Sequence, residues 1–116
     1  MRLMESGDTD KAYEVGVTIG TYLSDLGFNV DFAPVADVLT NSENQIVAKR
    51  SFGSDSELVT NMVLAEMNGF EETGILSCVK HFPGHGCTIG DTHEGYAYTD
   101  KTREELQQEE LVPFQE

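Results

Sequence analysis

The sequence predicts an α/β fold in which parallel strands are joined by helices, amounting to about two βα units. Three observations predict it. Helical and strand signals alternate along 116 residues in the order helix, strand, helix, strand, helix. Both strand candidates are short, apolar runs of the kind that is buried on both faces of a parallel sheet. The polar and unusual residues cluster directly behind the strand ends, where sites gather in parallel α/β architectures.

The first helix is expected over about residues 9–26. Tyr13, Val17, Gly20, Leu23 and Leu26 recur there at helical spacing, and Gly27 is a natural stop. Residues 29–38, Asn29-Val30-Asp31-Phe32-Ala33-Pro34-Val35-Ala36-Asp37-Val38, read as a buried strand that leaves the sheet at its proline. After a loop containing Arg50-Ser51-Phe52-Gly53, Ser54 and Glu57 form a capping-box pattern. The helix it opens turns Leu58, Val59, Met62, Val63, Ala65 and Phe70 toward a core and stops near Gly74. A second strand, residues 75–79, ends in Lys80-His81 and is followed by a long loop, residues 82–100. Thr102 and Glu105 repeat the capping-box pattern, and Pro113 behind Leu111-Val112 reads as the opening of a further helix. Two parallel strands cannot bury both faces of a sheet, so the chain reads as a slice of something larger.

Bulk properties narrow the partners. Hydrophobic residues make up 39% and charged residues 24%, an ordinary globular composition. With 21 acidic against 7 basic residues the net charge is −14, which repels phosphate backbones and anionic lipid. Nucleic acid and membrane are therefore not expected partners; the acidity itself suits solvated helix faces. No apolar run is long enough to span a bilayer. No signal peptide is visible, and cytoplasmic and secreted locations both stay open. Cys78 lies in an apolar run and reads as core, whereas Cys87 lies in a glycine-rich loop and reads as exposed.

Asp37 closes the first strand. Lys80 and His81 close the second, ahead of Phe82-Pro83-Gly84-His85-Gly86 and Gly90-Asp91-Thr92-His93. Three readings of this cluster stand side by side. Asp91 and His93, two apart, suit an acid–base pair in which a carboxylate orients an imidazole, with Lys80 and His81 donating to sugar hydroxyls. His81, His85, Asp91 and His93 also have the donor types of a zinc site, although their spacing matches no zinc signature. A structural histidine-bearing loop is the third.

The run Lys80-His81-Phe82-Pro83-Gly84-His85-Gly86 with Asp91-Thr92-His93 closely resembles the signature of family 3 glycoside hydrolases, in their β-N-acetylhexosaminidase branch. Asp31-Phe32-Ala33-Pro34-Val35-Ala36-Asp37 and Arg50-Ser51-Phe52-Gly53-Ser54-Asp55 resemble that family in the same order, so the likeness runs from about Gly16 to Phe114. It implies that residues 1–116 are a fragment of a single catalytic TIM (β/α)8 barrel. It further implies that Lys80, His81 and Arg50 bind the sugar and that His93 is the general acid/base, paired with Asp91. Asp37 matches a strand-end aspartate with a supporting role, and Cys87 stands where relatives often carry aspartate or a small residue.

The family's retaining mechanism also needs a nucleophilic aspartate, and no aspartate here matches its motif. The isolated chain is accordingly expected to be inactive, and its exposed strand edges to favour self-association. The expected substrate is an N-acetylglucosamine-containing glycan, with neither metal nor organic cofactor. Two alternatives carry over: a phosphorylase using phosphate in place of water, and a non-catalytic carbohydrate-binding or metal-binding module.

Overall fold

The computed structural model describes residues 6–90 and 95–115. Helix α1, Thr9–Asp25, begins where the Asp8 carboxylate accepts from the Lys11 amide at 3.1 Å, and the chain turns off at Gly27 with φ 84°. Helix α2 spans Ser56–Glu72. Its cap is Asp55, whose carboxylate accepts from Leu58 N at 2.7 Å, so the expected Ser54–Glu57 box gives way. Asp55 reaches the same orphan amides and adds a negative charge at the helix's positive end. The short helix α3, Arg103–Gln108, does open on the expected Thr102–Glu105 box. Pro113 falls in a single 3-10 turn, Val112–Phe114, rather than in an α-helix.

Helices α1 and α2 cross closely because small residues line the contact. On α1 the buried positions are Ala12, Gly16 and Gly20, one turn apart, while Leu26 is exposed. A Cβ at Gly16 would run into the Glu66 carbonyl, and one at Gly69 into the Tyr13 carbonyl. The core itself is α2's apolar side, Val59, Met62 and Val63, closed by Ala12, Ala36, Val38 and Phe52.

Strands β1, Val30–Asp31, and β2, Leu76–Ser77, pair in parallel. Pairing continues past them. Cys78 N donates to Asp31 O, Lys80 N to Pro34 O, and Ala36 N to Lys80 O at 2.6 Å. Asp31 faces Ser77 while Val35 faces Lys80, so the first strand carries one extra residue around Pro34. That bulge accommodates a proline with no amide to donate, and it is why the regular strands are far shorter than residues 29–38 and 75–79 suggest.

Only one face of the pair is covered. Val30, Phe32 and Leu76 are 46%, 68% and 68% exposed. Cys78 is exposed on the strand behind Leu76, against the expectation that it is core. Strand side chains alternate, and the face opposite α1 and α2 has no covering layer among the described residues. Cys87 reverses the other way and is buried, because its loop folds back over the strand ends.

Candidate functional site

Asp37, Lys80 and His81 emerge at the same end of the two parallel strands, as expected. The organising group is Asp37, whose side chain is entirely buried. Its Oδ2 lies 2.6 Å from His81 Nδ1, and its Oδ1 accepts the His85 amide at 2.6 Å and the His81 amide at 3.4 Å. A buried carboxylate is tolerable only with such partners, and three donors aimed at it fix the first turn of the loop. The peptide bonds Ala33–Pro34, Lys80–His81 and Phe82–Pro83 are cis.

The Arg50 guanidinium approaches His81 Nε2 at 3.3 Å. Guanidinium offers no acceptor, so Nε2 presents its lone pair there and the ring proton sits on Nδ1, facing Asp37. Arg50 is held by its own stretch. Ser51 Oγ donates to Asp37 O at 2.7 Å, Leu39 N donates to Gly53 O at 2.8 Å, and Phe52 is buried in the core. The Arg50 stretch and the Asp37 strand end are therefore one unit.

Lys80 is half-buried, its backbone tied into the strand pair, and its ammonium has no partner among the described residues. His85 is seated by Thr88, whose Oγ lies 2.7 Å from His85 Nδ1, and by Asn44, whose Nδ2 donates to His85 O at 2.7 Å. His85 Nε2 is enclosed without a partner among the described residues. A cavity of about 330 Å³ is lined by His81, Phe82, Pro83, Gly84, His85, Thr88 and Ala97. That is room for about one sugar ring, at the low end of small-molecule sites. Among the described residues no group of three His, Cys, Asp or Glu side chains is placed to hold a metal ion. Beneath the loop, burial pushes the Cys87 thiol up, away from the reactive thiolate form.

The structure thus brings together Arg50, His81 and Asp37, with Lys80 at the same strand end. Asp91 and His93 lie outside the described residues. Sequence reasoning missed Asn44 and Thr88. Asn44 also takes the Ile46 and Val47 amides on its Oδ1, and the asparagine-rich run Asn41-Ser42-Glu43-Asn44 was the available signal for such a turn.

An α/β frame thus holds a lysine and a histidine at the end of a parallel strand pair, with an arginine beside the histidine. The profile of the glycosyl hydrolase family 3 N terminal domain matches residues 1–116, and the chain belongs to that family. It is 44% identical over 105 residues to beta-hexosaminidase A of Pseudoalteromonas piscicida, covering 90% of this chain and 18% of that protein. A glycoside hydrolase family 3 beta-N-acetylglucosaminidase from Paenibacillus sp. str. FPU-7 superposes with a TM-score of 0.92 at 40% identity, over 97% of this chain and 21% of that one. NagZ from Neisseria gonorrhoeae, solved in complex with N-trifluoroacetyl-D-glucosamine, gives 0.84 at 36% identity, over 91% of this chain and 31% of that one. The chain spans 18% to 31% of the length of the curated relatives it matches.

Proposed function

We propose that residues 1–116 belong to a single (β/α)8 catalytic barrel of a retaining β-N-acetylhexosaminidase, which removes terminal N-acetylglucosamine-type residues from glycans. The observation that carries the reading is the Asp37–His81–Arg50 chain. A buried carboxylate sets the tautomer and angle of an imidazole, which shares its outer nitrogen with a guanidinium. Such an arrangement has no purpose in packing and suits a ligand rich in hydroxyl groups. The family membership and the N-acetylglucosamine analogue bound to NagZ support the substrate class.

In this reading Arg50, Lys80 and His81 hold the sugar. His93, oriented by Asp91, gives its proton to the leaving oxygen as the C1–O bond breaks. A carboxylate supplied from outside these residues takes C1 in an ester, and His93 then deprotonates the water that cleaves it. The bare face of Val30, Phe32 and Leu76 is where the remaining strands of the barrel pack.

The test uses the full-length enzyme and aryl N-acetylglucosaminides of graded leaving-group basicity. His93→Ala lowers kcat/KM by about a hundredfold or more for poor leaving groups and much less for activated ones, because the acid matters most when the departing oxygen needs a proton. Equal losses across the series refute the role. A rate that rises with added phosphate, yielding the sugar 1-phosphate, assigns the phosphorylase instead.

A further inference from the structure

Besides Asp37, one other carboxylate is completely buried among the described residues, Glu110, and the catalytic reading gives it no task. Its Oε1 accepts from Thr40 Oγ1 at 2.6 Å and pairs with Lys101 Nζ at 2.6 Å, while its Oε2 is enclosed without a partner among the described residues. Lys101 also bonds Thr40 Oγ1 at 3.2 Å and pairs with Glu109. Gly84, with φ 121°, passes so close that a Cβ there would lie 2.7 Å from Glu110 Cβ. One side chain thus touches three stretches of the site. Thr40 follows the strand end that carries Asp37, Gly84 belongs to the turn behind His81, and Lys101 is where the 82–100 loop rejoins regular structure. Burying a carboxylate with one oxygen lacking a partner among the described residues is unfavourable, and an apolar side chain of the same size would fill the space at lower cost. What an ion pair adds here is a fixed geometry.

We propose that Glu110 is a positioning residue for the acid/base loop: with Lys101 and Thr40 it locks the far end of that loop to the strand end bearing Asp37, and so sets where residues 91 and 93 are delivered. The inference rests on the proposed role of His93. Burial works against the charge on Lys101, yet the two glutamates hold its pKa above the usual value, so its ammonium stays charged at neutral pH.

Glu110→Gln keeps the shape and an acceptor oxygen but removes the charge that grips Lys101. In the full-length enzyme it lowers kcat for a disaccharide substrate by about tenfold, a fraction of the gain that acid catalysis gives. It lowers kcat for a dinitrophenyl glycoside by less than about threefold, with KM and melting temperature nearly unchanged. Thr40→Val, which removes one donor and leaves the ion pair, shows the same split at smaller amplitude and serves if the glutamine variant does not fold. Equal losses for both substrates, a lower melting temperature without the split, or no loss at all overturns the proposal. The control is His93→Ala. If that variant shows the split and Glu110→Gln does not, the positioning role alone falls; if neither shows it, the acid/base reading falls first.

Discussion

Replacing Glu66 by glutamine should stabilise the protein above neutral pH and leave it unchanged in mild acid. Glu66 lies on α2, where burial first, and the facing charge of Asp31 second, push its carboxyl from 4.5 up to about 7. The folded state therefore holds a proton that the unfolded chain releases. Below about pH 4.5 the group is neutral in both states and costs nothing. Between there and about pH 7 a growing penalty appears, and above pH 7 it is constant. A displacement of roughly 2.5 pKa units at 1.36 kcal/mol each is about 3 kcal/mol. Allowing for the carboxyl's remaining contact with solvent brings it to about 2 kcal/mol. Glutamine keeps the shape and never ionises. At about 4 °C per kcal/mol for a domain of this size, Glu66→Gln should raise Tm by roughly 8 °C at pH 8. Circular dichroism melts at pH 4.5 and pH 8 measure it. A Tm difference that is the same at both pH values, or a variant less stable at pH 8, refutes the reasoning.

Gly16→Ala pushes α1 off the Glu66 carbonyl and should cost about 2–3 kcal/mol in urea unfolding, whereas Tyr22→Ala, at a site 69% exposed, stays within about 0.5 kcal/mol. Asp37→Asn sets an amide donor against amide and imidazole donors in a closed site. It should lower stability by about 2–4 kcal/mol and shift the His81 ring resonances; unchanged resonances would mean that Asp37 does not fix the ring. The isolated 116-residue chain should self-associate through Val30, Phe32 and Leu76. A concentration-independent monomer with cooperative unfolding in sedimentation and melting experiments would exclude that.

Much of this arrangement is legible in the sequence because periodicity and strand-end polarity are local signals. The helices, the parallel pairing, the Thr102–Glu105 box and the convergence of Asp37, Lys80 and His81 follow from them. What escaped is tertiary. Ser54 and Asp55 both make acceptable caps, and only the path of the chain into α2 decides between them. Cys78 looks like core because an apolar run is silent about which layer covers it, and Cys87 looks exposed because glycines say nothing of where a loop folds back. Asn44 reaches His85 across 41 residues of chain and Glu110 reaches Thr40 across 70, contacts that no spacing rule encodes. The apolar pattern suggests longer strands than the structure has because the bulge at Pro34 interrupts the ladder while leaving that pattern intact.

The two loop amides gathered by Asp37 bear on how a sugar would be bound. Residues 81–88 contain no regular helix or strand, yet His85 N sits 2.6 Å from a fully enclosed carboxylate, and Asn41 N anchors Gly86 O at 3.1 Å. Amide protons there should exchange with solvent as slowly as those of a helix interior, despite their place in a loop. A neutral sugar exchanges hydrogen bonds to water for hydrogen bonds to protein and gains little from each trade. If the binding loop had also to be ordered on contact, the freezing of several backbone dihedrals would cancel that gain. With residues 81–88 held by these bonds, the entropy of ordering them has been met by the fold. On the proposed reading, weak individual contacts are then enough to retain a sugar.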